Sequence, residues 1–213
     1  MFKNRIDAGT QLADNLVRFK NHDIVVLAIP RGGLPLGAIV AETLQTPLDV
    51  ALSKKIGHPY NKEYAIGAVS LENVILSDAM GVTKGYIKEE TQRIRQKLKE
   101  RHDQYYQNRI PQKLKNKTVI IIDDGIATGN TILVTATLAR QQKPEKIVVA
   151  VPVAPISTIR TLKDSTLVDE VICLKTPRNF RAVGQFYEDF PQVSDEEAIR
   201  LLEQVNNTNV RNH

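Results

Sequence analysis

The 213-residue chain has a net charge of +5, with 42% hydrophobic and 25% charged residues, proportions ordinary for a globular protein. No apolar run approaches the ~18 residues that a membrane span needs, and MFKNRIDAGTQLADN lacks the apolar centre of a secretory signal. A membrane protein is therefore not expected, and a cytoplasmic location is.

Residues 7–20 predict an amphipathic helix, with Leu12, Leu16 and Phe19 on one face. DIVVLAI (23–29) is almost wholly apolar, the pattern of a strand buried on both faces. PRGGLPLG (30–37) is a turn that opens a helix, with Pro35 near its start. LDVALS (48–53) is a second strand. IGHPYNKEY (56–64), with Gly, Pro and Asn, reads as a mobile loop, and AIGAVS and NVILS as short strands. Residues 83–108 predict a long polar helix capped by Thr83. Its narrow apolar stripe of Ile87, Ile94, Leu98 and Tyr105 suits a surface position or a partner contact. Strand 118–122, helix 130–142, strand 146–153, helix 155–163 and strand 169–174 follow. Cys173, alone of its kind, excludes an intramolecular disulfide framework and reads as a buried thiol. Ser194 and Glu197 form a capping box ahead of a helix at 195–205, and 206–213 reads as a frayed tail.

This alternation predicts one α/β domain over 1–213, an open, mostly parallel sheet flanked by helices. Segment 79–116 reads as basic and helical, and 175–205 as a C-terminal hood or packing segment. Residues 84–117 hold eleven Lys or Arg against four Asp or Glu, a local excess of +7. That excess suits a nucleic acid or a polyanionic small molecule, but a solvated helix face is the favoured reading. Ligands of such sheets sit outside the carboxyl ends of the strands, so the turns after 24–29, 48–53 and 118–122 should converge.

The last of these turns carries the most chemistry. TVIIIDDGIATGNT (118–131) runs from a buried strand into Asp123 and Asp124, then a tight turn, then a helix N-terminus. It is neither a Walker A loop nor a GxGxxG fingerprint. Unpaired N–H groups and the positive end of the helix dipole favour a phosphate there. Gly125 and Gly129 allow close backbone approach, Thr128 and Thr131 add hydroxyl donors, and the two carboxylates accept bonds from sugar hydroxyls. The combination predicts a sugar-phosphate site.

VIIIDDGIATGNT closely resembles the phosphoribosyl pyrophosphate (PRPP) signature of the type I phosphoribosyltransferases. The resemblance implies that Asp123 and Asp124 hold the ribose hydroxyls, and that Gly125, Ile126, Ala127, Thr128, Gly129, Asn130 and Thr131 cradle the 5-phosphate. It implies that Arg31, Gly32 and Gly33 bind pyrophosphate, with a strained or cis peptide at Arg31–Gly32 or a neighbour. Lys54 and Lys55 resemble the family's basic strand end. Alternation in an extended chain would aim only one inward, and Lys55 and Arg31 are the expected catalytic groups. His58 and Lys62 would arrive when the following loop closes. Element order and spacing resemble the family over about 24–175, with one departure: the basic segment 79–116 is inserted before the signature strand, where compact members have little. The C-terminal stretch TPRNFRAVGQFYEDFPQVSDEEAIRLL resembles a stand-alone bacterial subgroup without an established acceptor. In the wider family this region forms a hood over the acceptor. Phe180, Phe186, Tyr187 and Phe190 could stack on it or pack the core, with core the favoured reading.

The implied reaction is displacement of pyrophosphate from PRPP by an acceptor nitrogen. Mg²⁺ would assist without a certain direct protein ligand, Asp123 and Asp124 acting through ribose or water. Ala127 stands where 6-oxopurine members commonly carry an Asp, which disfavours hypoxanthine and guanine. A homodimer is implied. The alternative is a PRPP-sensing regulator that binds RNA or a protein without turnover. Nucleic acid is the less favoured partner.

Overall fold

The computed structural model describes residues 1–77, 79, 81–107 and 109–210. Its centre is a five-stranded sheet. β1 (Ile24–Ala28), β2 (Leu48–Val50), β6 (Thr118–Ile122), β7 (Lys146–Val153) and β8 (Glu170–Lys175) pair in parallel in the order β2-β1-β6-β7-β8. β1 and β6 are wholly buried, which explains their unbroken apolar sequences. Successive side chains alternate between two cores. Val26, Ala28, Ile120 and Ile122 pack with the helices α1 (Arg5–Leu16), α2 (Gly33–Leu44) and α6 (Asp195–Val210). Val25, Leu27, Val119 and Ile121 pack on the other face with α4 (Asn130–Gln141) and α5 (Ile156–Asp164).

Register positions the site. Ala28 pairs with both Val50 and Ile122. Three neighbouring strands therefore end level, and the chain leaves them in three adjacent turns.

A second, antiparallel sheet holds β3 (Lys54–His58), β4 (Asn61–Val69) and β5 (Val74–Leu76). This corrects the expectation of a mobile loop at 56–64. The Gly, Pro and Asn signals mark a tight hairpin turn, with His58 paired to Asn61. Gly57 is needed there: a Cβ would stand 2.6 Å from the Lys62 carbonyl.

α3 (Lys84–Tyr106) is capped by Thr83, whose side chain accepts from the Tyr86 amide at 3.3 Å. Its apolar stripe is covered by this chain itself. Ile94 and Leu98 are buried against Ile56, Ile66 and Val69 of the hairpin, while Tyr105 and Tyr106 reach the main core. The stripe is thus spent on intramolecular packing rather than presented to a partner.

The expected frayed tail from 206 is also corrected as far as Val210, where α6 ends. Asn206 gives it a tertiary anchor. Its amide donates to the Leu48 carbonyl at 2.8 Å and its oxygen accepts from the Leu48 amide at 3.1 Å, satisfying the open edge of β2. Residues 211–213 of the predicted tail lie outside the described residues. Among the described residues no helix is long and apolar enough to cross a membrane.

Candidate functional site

The turn after β1 is fixed by backbone bonds. Ile29 donates to the Ile122 carbonyl at 2.8 Å and Gly33 to the Ile29 carbonyl at 2.9 Å. The Pro30–Arg31 peptide is cis, one bond from Arg31–Gly32. Gly33 lies against β6, where a Cβ would meet the Ile122 carbonyl at 2.6 Å. Gly32 lies against Asp124, where a Cβ would fall 2.1 Å from Oδ2. Arg31 reaches across to α6, its guanidinium 3.5 Å from Asp195.

The turn after β6 holds the acid pair. Both carboxyls are partly exposed at the floor of a cleft. The Asp124 amide donates to Asp123 Oδ1 at 2.9 Å. Burial, then the adjacent Asp124 charge, pushes the Asp123 carboxyl well above the usual carboxylate range. Burial also raises Asp124, opposed by the charge and hydrogen bonding of Arg5. Gly125 (φ 153°) and Gly129 (φ 77°) adopt backbone angles that favour glycine. Gly129 stands at the N-terminus of α4, and no side chain caps that end. The first turn of α4 thus keeps amides directed at the cleft. Ala127 is held from behind, its carbonyl accepting from the Thr158 hydroxyl at 2.5 Å.

Two concavities flank the β1 turn, sharing Ile29, Pro30 and Thr131. One, of about 400 Å³, is lined by Arg5, Arg31, Gly32, Asp123, Asp124 and Gln192 among others. The other, of about 560 Å³, is lined by Lys54, Lys55, Thr128, Asn130 and Thr131, and by Lys97 and Arg101 from α3. The three predicted turns therefore do converge.

Lys54 and Lys55 both line the larger cavity. The expectation that only one would reach it underrated the length of the lysine stems and the way the cavity wraps the start of β3. His58 and Lys62 line neither concavity. Lys62 donates to the Tyr86 hydroxyl at 2.5 Å, and His58 lies 5.8 Å from the Tyr60 ring. Gly125, Ile126 and Gly33 are buried.

Three contributors escaped the sequence reading. Arg5 is the first residue of α1, because Asn4 caps the helix by accepting from the Asp7 amide at 3.0 Å. The Asn4-to-Asp7 spacing was the available signal for that earlier start. The other two, Lys97 and Arg101, share one face of α3 at a spacing of one helical turn.

The C-terminal aromatics chiefly pack. Tyr187 is buried and donates to the Asp124 carbonyl at 2.6 Å. Its ring stacks on Phe190 at 4.7 Å, and Phe180 and Phe186 pack against the main core. Cys173 is also part of the packing, its thiol pushed up to about 11 by burial.

Comparison with known proteins places this arrangement in a family. The phosphoribosyl transferase domain family matches residues 2–191, and the chain belongs to it. The chain is 38% identical over 215 aligned residues to a Mycobacterium tuberculosis (strain H37Rv) protein named "Putative phosphoribosyl transferase Rv0571c". The match takes in 95% of this chain but 46% of that protein, so the chain spans less than half the length of this relative. The crystal structure of TT1426 from Thermus thermophilus superposes with a TM-score of 0.89 at 35% identity, covering 95% of this chain and 98% of that one.

Proposed function

We propose that the chain transfers the 5-phosphoribosyl group of PRPP to an acceptor nitrogen and releases pyrophosphate. The observation that carries this reading is the level ending of β1 and β6. It sets a carboxylate pair and an uncapped helix N-terminus beside a turn bearing a cis peptide and an arginine. Family membership supports it.

Asp123 and Asp124 accept from the ribose 2- and 3-hydroxyls. The backbone of 125–131, with the Thr128 and Thr131 hydroxyls, holds the 5-phosphate. Arg31, Lys54 and Lys55 take the pyrophosphate. A C1–N bond forms as the C1–O bond to pyrophosphate breaks, and the acceptor nitrogen loses a proton. Positive charge develops on the ribose and negative charge on the leaving group, which fixed cations stabilise. Anchoring the remote phosphate orients C1 rather than activating it.

Magnesium fits this site as a companion of the substrate. Among the described residues no group of three His, Cys, Asp or Glu could hold a metal ion. The partly exposed oxygens of Asp123 and Asp124 suit a hard cation bound through ribose or water. When bound with PRPP, Mg²⁺ supplies charge neutralisation to the diphosphate.

Ala127 leaves no carboxylate beside the Thr-Gly pair, and hypoxanthine and guanine are expected to be poor acceptors. The test is pyrophosphate release on incubation with Mg²⁺-PRPP and a panel of bases and amines. Turnover with one acceptor, lost on Asp123→Asn with Asp124→Asn, is expected. Release with none of them, together with a melting temperature indifferent to PRPP, would overturn the reading.

A further inference from the structure

The larger cavity has a wall that the PRPP signature does not supply. Ile94 and Leu98 are buried against Ile56, Ile66 and Val69, which fixes the rotation of α3 about its axis. That rotation carries Lys97 and Arg101, either side of Leu98, to the cavity lined by Lys54, Lys55 and Thr131. Four cationic side chains thus line one concavity, and no Asp or Glu is among its lining residues. Neither Lys97 nor Arg101 forms an ion pair among the described residues, whereas Lys99, on another face of the helix, is paired to Asp103 at 2.8 Å. Like charges gathered round one cavity repel each other, an arrangement that an anionic ligand relieves.

We propose that Lys97 and Arg101 bind the diphosphate of the donor, making the inserted helix a preformed cationic wall of the pyrophosphate subsite. This rests on the reading of the site as a PRPP site. Two features favour the diphosphate over the 5-phosphate. The uncapped N-terminus of α4 already offers amides and hydroxyls to a phosphate monoester. The diphosphate carries more charge, and of its other cations Arg31 faces the smaller cavity and is shared with Asp195. A guanidinium and an ammonium suit it as a fork and a point charge. Two of the cations behind the local excess of positive charge over 84–117, Lys97 and Arg101, are thereby assigned to a small polyanion.

Calorimetric titration of the full chain tests this, with Mg²⁺-pyrophosphate and ribose 5-phosphate as separate probes. Lys97→Ala with Arg101→Ala should weaken pyrophosphate binding by about tenfold or more and leave ribose 5-phosphate binding unchanged. Lys99→Ala should change neither. Lys97→Arg with Arg101→Lys should retain most of the affinity, which separates lost charge from a disturbed helix. Pyrophosphate affinity in the double alanine variant within about twofold of the unaltered chain would overturn the proposal, and so would an equal loss for both probes. An unaltered chain that binds neither pyrophosphate nor PRPP would overturn the wall and the donor reading together. Pyrophosphate binding that depends on Lys97 and Arg101, without any PRPP binding, would sustain the wall and overturn the donor reading.

Discussion

Arg5 and Asp124, 119 positions apart in the chain, meet through a single carboxylate oxygen. Nε and Nη2 of the arginine reach Oδ2 at 2.9 and 2.8 Å. The arginine is itself fixed, its Nη1 donating to the Pro191 carbonyl at 2.6 Å and its Cζ lying 3.7 Å from the centre of the Phe190 ring. The contact ties the start of α1, the C-terminal aromatics and the acid pair into one unit. It also supplies the opposite charge that keeps Asp124 from rising further. Oδ1 takes no part in it.

Arg5 should therefore act as a positioning residue for Asp124. Arg5→Ala is expected to lower stability by about 1.5–3 kcal/mol, the range for hydrogen bonds to charged groups, because it leaves a largely buried carboxylate uncompensated. It should also weaken PRPP binding by about tenfold. Arg5→Lys, which keeps the charge without the fork, should fall between. Urea unfolding and calorimetry measure the two effects. PRPP affinity unmoved by Arg5→Ala would show that Asp124 needs no such support.

Asp123→Asn should stabilise the chain without ligand while weakening its PRPP response. Burial and the neighbouring Asp124 raise the Asp123 carboxyl, so the folded state holds its proton more tightly than the unfolded state does. Stability from this group is full below the ordinary value of 3.8 and is lost as pH rises through the raised folded value. Removing the charge removes that loss. Melting curves over the acid-to-neutral range should slope less in the variant than in the unaltered chain. The same ionisation should make PRPP bind more tightly as pH rises through that range. A variant less stable at neutral pH would contradict this electrostatic account.

The parts of this site legible in the sequence are those written locally. β1 and β6 announce themselves because every side chain is buried, and the acid pair and glycine turn follow within one short string. The cis peptide fell within one bond of its expected place. What escaped depends on distant contacts. The Arg5–Asp124 pair spans 119 positions and leaves no local pattern. AIGAVS is legible as a strand and falls largely within β4, but the hairpin turn and its flanks at 56–64 were hidden because Gly, Pro and Asn mark tight turns and open loops alike. α6 continues through a polar run because Asn206 bonds to Leu48, a partner on another element. α3 looks like a surface helix in composition, and its packing face became visible only opposite β3 and β4.

Gly32 and Gly33 are adjacent yet should fail differently when replaced. A Cβ on Gly33 meets backbone, the Ile122 carbonyl at 2.6 Å and the Asp123 Cα at 3.1 Å. Gly33→Ala must push α2 from β6 and should cost about 1–3 kcal/mol of stability, the range for overpacking. A Cβ on Gly32 meets the Asp124 carboxylate, which can swing away if its bond to Arg5 breaks. Gly32→Ala should spare more of the stability while weakening PRPP binding by about tenfold or more. Chemical unfolding and PRPP titration of both variants provide the comparison. The reverse ranking would mean that the Asp124 side chain has less freedom than the backbone behind Gly33.

Tyr106 and Asp49 fasten the far end of α3 to β2, the strand that leads to Lys54. The tyrosine hydroxyl donates to Asp49 Oδ1, which also accepts from the Val50 amide at 2.8 Å, while Oδ2 accepts from the Gln112 amide at 2.7 Å. Asp49 is 5% exposed, and burial raises its carboxyl against the pull of these donors, Tyr106 first among them. Tyr106→Phe deletes the strongest of them and should cost about 1.5–3 kcal/mol near neutral pH, since the bond goes to a charged acceptor. It should also raise the Asp49 carboxyl further. A raised carboxyl destabilises the fold only once it is ionised, above the ordinary value of 3.8 and up through its folded value. The deficit of Tyr106→Phe should therefore shrink as pH falls toward the ordinary value, with Asp49 increasingly protonated in both proteins. Urea unfolding of the two proteins at neutral and mildly acidic pH reads this directly. A deficit independent of pH would assign the loss to ring packing rather than to the buried charge.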